Sequence, residues 1–270
     1  VTLPPQAGGR GGEELQPVAV TGTSEPTRTR PGPLALVGSG EFTAPMLATD
    51  ARLLDLAEAA GRPRSVAVVP TAAGTEGEGV VRRWLDLAQA HYATLGAEVV
   101  EVDVRDRAGA EDPAHAAAVR GVGLVYLSGG RPDHLHRSLD GSPLLASVLD
   151  AWGGGAALAG CSAGAMVLAA GWPPFLRASG SWGAGLGVVP RTGVVPHFDR
   201  FAGRLPRYPQ RVARGTPDGW GVLGVDEDTA LVHAEGRWEV EGLAGAWWLT
   251  GSGTVPVGQG PTPPTPARPT

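Results

Sequence analysis

The chain has 270 residues, 42% of them hydrophobic but only 6% aromatic, and a formal net charge of −5. That length and apolar share suit one α/β domain with a sizeable core, or one domain with tails. The acidic balance without any basic run argues against a nucleic-acid partner, and the single cysteine excludes an intramolecular disulfide or a Cys-based zinc cluster.

Residues 1 to about 32 are polar, rich in Pro, Gly and Thr, and aperiodic, which predicts a disordered leader. The ordered domain is expected over residues 33–250. Its first strand is Pro33–Gly38, breaking into the turn Gly38-Ser-Gly40-Glu41. No dinucleotide or P-loop glycine pattern follows, so a phosphate cradle is not expected there. Thr49–Ala60 has helical spacing, Ser65–Pro70 reads as a buried strand, and Val80–Leu95 as an amphipathic helix. A strand over Ala97–Val104 and a helix over Ala110–Arg120 follow. The strand Val122–Leu127 then stops at Ser128-Gly129-Gly130-Arg131, and helices are expected near Asp133–Leu139 and Pro143–Trp152.

The next stretch, Gly155–Leu168, carries Gly160-x-Ser162-x-Gly164 between two apolar runs. This is the spacing of a nucleophile elbow. A strand turning sharply into a helix projects its central side chain outward, and glycine two residues to either side avoids collision. The helix after it points its first N–H groups at whatever that residue attacks. Cys161 competes for the nucleophile's role, but centring the motif on it places Ala159 and Ala163 where glycines belong, so the register favours Ser162.

Beyond a helix at 163–170 the pattern is β-rich, with strands at Gly185–Val189, Thr192–Val195, Trp220–Val225, Ala230–His233, Trp238–Val240 and Gly245–Leu249. Gly251–Thr270 returns to Pro-rich composition and predicts a solvated, disordered tail. Strands alternating with helices indicate a mostly parallel sheet covered on both faces, with a crevice at the carboxyl ends of its strands. Gly40, Gly130 and Ser162 converge there.

A serine hydroxyl needs a base. Of six histidines, His91, His115, His134 and His136 lie in or beside helices and read as surface residues, while His233 alternates within a late strand. His197 ends an apolar strand after the elbow helix, in Val194-Val-Pro-His197-Phe-Asp199-Arg200, where its side chain can swing back to Ser162.

Six stretches carry a family resemblance. They are Leu36-Val-Gly-Ser-Gly-Glu41, Val69-Pro-Thr-Ala72, Leu127-Ser-Gly-Gly-Arg131, Gly160-Cys-Ser-Ala-Gly-Ala165, Pro196-His-Phe-Asp-Arg200 with Arg204 beyond, and Gly224-Val-Asp-Glu-Asp-Thr-Ala-Leu231. In this order, over about residues 33 to 235, they resemble the serine-peptidase family of cyanophycinase and dipeptidase E. The resemblance implies a flavodoxin-like fold related to class I glutamine amidotransferases. It further implies Ser162 as nucleophile, His197 as base, and an oxyanion hole from the N–H groups of Ala163 and the Gly129-Gly130 turn. Relatives cleave aspartyl-containing peptides, which makes Arg131, Arg200 and Arg204 candidates for binding a substrate carboxylate.

The family commonly places its triad carboxylate between serine and histidine, yet residues 163–196 contain no Asp, Glu, Asn or Gln. Asp199, two residues after His197, is favoured as a substitute, with the Asp226-Glu227-Asp228 cluster as the second option. A Ser–His dyad remains open. Three functions follow as expectations: a serine hydrolase of peptide or isopeptide bonds, a degenerate binding protein of the same fold, or an amidase or acyltransferase. No metal or cofactor is expected. A small peptide substrate is, and the oligomeric state stays open, a homodimer included. No apolar stretch reaches membrane-spanning length and no basic-then-apolar signal pattern is seen, so the cytoplasm is the expected compartment.

Overall fold

A computed structural model of the protein describes residues 1–2, 30–174, 181–205 and 207–269; residues 3–29 of the expected leader lie outside these. The first half runs β1 (Leu34–Val37), α1 (Leu47–Ala59), β2 (Ser65–Val69), α2 (Glu78–Thr94), β3 (Glu98–Glu101), α3 (Arg107–Glu111), α4 (Pro113–Ala118) and β4 (Leu124–Leu127). It continues with α5 (Pro132–Leu139), α6 (Pro143–Gly153), β5 (Ala157–Cys161) and α7 (Ala163–Leu168). The second half is β6 (Ala169–Trp172), β7 (Gly183–Ala184), β8 (Val189–Val195), α8 (Phe198–Arg204), α9 (Tyr208–Arg214) and β9 (Gly221–Val225). It closes with β10 (Thr229–Ala234), β11 (Arg237–Gly242), β12 (Ala246–Thr250) and β13 (Gly253–Pro256).

Seven strands form the main sheet in the order β11-β10-β1-β5-β4-β2-β3. The run from β1 to β3 is parallel; β10 and β11 join antiparallel at the β1 edge. Both faces of β1, β2, β4 and β5 are buried, which is why they read as unbroken apolar runs. Leu53 and Leu54 of α1 and Leu85 and Ala88 of α2 cover one face. Leu135 of α5, Leu144 and Val148 of α6, and Met166 of α7 pack in the core on the other. The expected mostly parallel sheet with helices on both faces is therefore present. A second sheet, β13-β12-β9-β8-β6-β7, makes up the β-rich C-terminal part.

Local differences have physical reasons. The helix expected over 110–120 is two: Asp112 ends α3, and its Oδ1 accepts the Ala114 N–H at 2.8 Å as the cap of α4, with Pro113 in the first turn. The strand expected over Gly185–Val189 begins only at Val189, after Gly187 at φ +75°. His91 is not a surface residue. It is 6% exposed, and its Nε2 lies 2.8 Å from Asp50 Oδ2 inside the core.

The reading of Gly251–Thr270 as a solvated tail is also corrected. β13 pairs with β12, and the proline-rich segment after it docks on the domain. The indole N–H of Trp248 donates to Pro261 O at 2.6 Å, and that of Trp238 to Pro263 O at 3.1 Å. The Ala267 N–H donates to Val188 O at 2.8 Å, while Pro263 and Pro266 are buried. Proline lacks an N–H but keeps a strong carbonyl acceptor, so a stiff proline run can serve as an acceptor rail for tryptophans. Deleting residues 261–270 should cost about 2–3 kcal/mol in lost hydrogen bonds and burial, and lower Tm by roughly 5–10 °C. Calorimetry on the truncated chain checks this, and an unchanged Tm would contradict the docking.

Candidate active site

The carboxyl ends of β1, β4, β5, β8 and β9 meet around Ser162. β5 ends at Cys161, and Ser162 follows at φ +49°, ψ −106°, a strained conformation for a residue with a side chain. Two glycines make the turn feasible. A Cβ on Gly160 would lie 2.5 Å from the Gly164 carbonyl carbon, and one on Gly164 would lie 2.3 Å from Leu127 O. The Ser162 N–H is anchored on Val37 O at 2.9 Å.

His197 follows β8. Its backbone is left-handed at φ +50°, its N–H donates to Gly38 O at 3.3 Å, and its Nε2 lies 3.1 Å from Ser162 Oγ. The other ring nitrogen, Nδ1, lies 2.7 Å from Glu227 Oε1. Strand pairing sets up this meeting. β8 and β9 run parallel with Val195 opposite Gly224, so His197 and Glu227 leave adjacent strand ends on the same side. Gly224 is needed beneath them, since a Cβ there would lie 2.4 Å from the Phe198 ring.

Asp199, expected on His197, is placed elsewhere. Its Oδ1 accepts the Glu227 N–H at 3.0 Å. The left-handed His197 starts helix α8, so the side chains of residues 197 and 199 do not share a direction as they would in an extended strand. Arg200 is likewise engaged, its Nε donating to Glu227 Oε2 at 2.6 Å. Asp199 thus holds the Glu227 backbone, and Arg200 the carboxylate that faces His197. Partial burial raises the Glu227 pKa, but hydrogen bonds and charge from His197 and Arg200 outweigh it and leave the carboxyl below its usual value. Its neighbours do different work. Asp226 is 5% exposed, and its Oδ2 accepts the N–H groups of Gly245 and the Trp247 indole. Asp228 turns away at φ +51° and approaches Thr43.

The Gly129-Gly130 turn comes up beside Ser162, but its two amides differ. The Gly129 N–H donates to Glu41 Oε1 at 3.0 Å and is therefore not turned to a substrate, which corrects its expected part in an oxyanion hole. Gly130, at φ +138°, pairs through its N–H with no acceptor among the described residues. A Cβ there would lie 2.5 Å from the Ala72 backbone. The Ala163 N–H, first in α7, has no partner within its helix. Cys161 is fully buried, with its thiol 2.9 Å from Glu41 Oε2. Burial, then the Glu41 carboxylate, push the Cys161 thiol far up, which keeps it protonated and un-nucleophilic.

Ser162 and His197 open on a cavity of about 240 Å³, with Gly130, Arg131, Met166 and Phe201 in its wall. Arg131 is exposed there and pairs with no carboxylate among the described residues. Arg204, in the last turn of α8, does not line the cavity. Among the described residues no group of three or more His, Cys, Asp or Glu side chains is arranged to hold a metal ion. No helix of these residues is long and apolar enough to cross a membrane. Sequence reasoning gave Glu227 second place and did not single out Glu41, although both stand in the motifs quoted above.

The sequence pattern of peptidase family S51 matches residues 34–240. The chain belongs to peptidase family S51. A cyanophycinase of Synechococcus elongatus is 32% identical over 197 residues, covering 68% of this chain. A second cyanophycinase, from Geminocystis herdmanii, is 27% identical over 218 residues and 75% of the chain. The chain spans 58% of the length of the Synechococcus relative and 72% of that of the Geminocystis one. Among solved structures, a peptidase from an acI-B1 Actinobacterium superposes with a TM-score of 0.79 at 32% identity, covering 88% of this chain and 98% of that one. A putative peptidase E of Listeria monocytogenes EGD-e shares the fold, at a TM-score of 0.53 and 15% identity over 79% of this chain and 100% of that one. The S51 fold here is thus the flavodoxin-like α/β sheet.

Proposed function

We propose that this S51 protein is a serine hydrolase that cleaves peptide or isopeptide bonds through an acyl-enzyme on Ser162. One observation carries the reading: the unbroken hydrogen-bond chain Ser162–His197–Glu227 at a strained elbow that opens on a cavity. His197 Nε2 takes the proton as Ser162 Oγ attacks the carbonyl carbon. The Nδ1–H donates to Glu227, which holds the tautomer and stabilises the imidazolium. The Gly130 and Ala163 N–H groups receive the developing oxyanion. The imidazolium then returns its proton to the leaving amine, and a water activated by His197 releases the acyl group. No step needs a metal.

The reading of a degenerate binding protein rested on an empty acid position, and a Glu227 carboxylate 2.7 Å from His197 Nδ1 supports the catalytic reading over it. For substrate class, Arg131 is the arginine lining the cavity among the described residues, since Arg200 is held by Glu227. A guanidinium there favours an acidic residue next to the scissile bond, in line with the aspartyl substrates implied by the family resemblance. The test is a panel of dipeptides with Asp, Ala or Lys on the acyl side. The aspartyl member should be cleaved best, and Arg131→Met should raise its KM about 10- to 100-fold while leaving a neutral substrate little changed. Equal turnover of all three, or a purely amide or ester preference, would move the reading to the amidase or acyltransferase alternative.

A further inference from the structure

We propose that Glu41 is a positioning residue for the oxyanion hole, an inference that rests on the serine-hydrolase reading above. Glu41 leaves β1 through Gly38-Ser-Gly40, is only 8% exposed, and is not among the residues that line the cavity at Ser162. Its two oxygens are divided between the two loops that build the site. Oε1 takes the Gly129 N–H from the turn after β4, and Oε2 takes the thiol of Cys161, the residue before the nucleophile. Gly129 is wedged between the two. A Cβ on it would lie 2.6 Å from Glu41 Oε1 and 3.4 Å from Ser162 Cβ.

The consequence lies in the next peptide. Tying the Gly129 N–H to Glu41 fixes one end of the turn, and the Arg131 N–H on Ala72 O at 2.8 Å fixes the other. Among the described residues the Gly130 N–H between them meets no acceptor, and it is held in the wall of the cavity, where a developing oxyanion can use it. An oxyanion hole works by being preorganised, so a loop free to rotate loses stabilisation in the transition state rather than in ground-state binding. A buried carboxylate is costly to keep, and a clamp joining the elbow to this turn gives it a function.

The experiment compares full-length wild type with Glu41→Ala and Glu41→Gln, using a dipeptide the wild type cleaves and a fluorophosphonate. Glu41→Ala should lower kcat about 10- to 100-fold with KM within a few-fold, less than the 10²–10³ typical of losing a whole oxyanion donor. Fluorophosphonate labelling should slow in parallel. Glu41→Gln, whose amide oxygen still accepts the Gly129 N–H, should restore most of both. The Gly129 amide resonance should lie downfield in wild type and Glu41→Gln and move upfield in Glu41→Ala, whether or not any substrate is cleaved. Wild-type kcat and labelling in a folded Glu41→Ala protein would overturn the inference. So would a KM effect alone, or a Gly129 amide that does not move. If Glu41→Ala fails to fold, Glu41→Gln decides by itself: a loss of kcat matching a missing donor, with Gly129 still bonded, overturns it. A wild type that neither labels nor hydrolyses, with the Gly129 shift intact, is instead a failure of the serine-hydrolase reading.

Discussion

Ser162→Ala should abolish peptide hydrolysis, with kcat falling by about 10⁴–10⁶-fold, while Cys161→Ala retains most of it. The size follows from removing the proposed nucleophile, whose Oγ lies 3.1 Å from His197 Nε2. Cys161 points the other way, into the core at 0% exposure, with its thiol on Glu41. Steady-state turnover of an aspartyl dipeptide on both variants is the check. Turnover that survived in Ser162→Ala and vanished in Cys161→Ala would reverse the assignment.

Glu227→Gln should lower kcat by about 10²–10⁴-fold with a modest change in KM. An amide in place of the carboxylate can present its NH₂ to Nδ1. That favours the tautomer with the proton on Nε2, the wrong one for a base facing Ser162. It also removes the negative charge that stabilises the imidazolium. Asp199→Asn should cost much less, because its acceptor oxygen can still take the Glu227 N–H. Glu227 sits below its usual carboxylate value, so its contribution is complete above that usual value. It is lost only as pH falls through the depressed one. An acid limb in kcat at neutral pH should therefore not come from Glu227. If Asp199→Asn proved the damaging change and Glu227→Gln were silent, the relay would have to be redrawn.

Much of this was legible in the residues. The apolar runs ending at Gly38, Ser128 and Gly160 placed three strand ends of the parallel sheet, and glycine register separated Ser162 from Cys161. His197 stood out as a histidine at a strand end past the elbow. The carboxylate beside His197 did not, because Asp199 is nearer along the chain and could reach the ring only if residues 197–199 were extended. The left-handed backbone of His197, φ +50°, breaks that relation, and the β8–β9 pairing brings Glu227 in from 30 residues away. Such a register is a property of two strands and cannot be read from either alone. The C-terminal segment failed for a related reason. Composition says that a proline run cannot form a core, but not that Trp238 and Trp248 present indole donors for it to cover. Glu41 was visible as part of a motif, yet its partners, Gly129 and Cys161, are 88 and 120 residues distant.

The most direct measurement is to treat the purified protein with a fluorophosphonate and locate the added mass by peptide sequencing in the mass spectrometer. The modification should fall on Ser162 alone, and its rate should drop sharply in His197→Ala and Glu227→Gln. A label on Cys161 or elsewhere, or no label in a protein that still hydrolyses peptides, would contradict a serine nucleophile held by this relay.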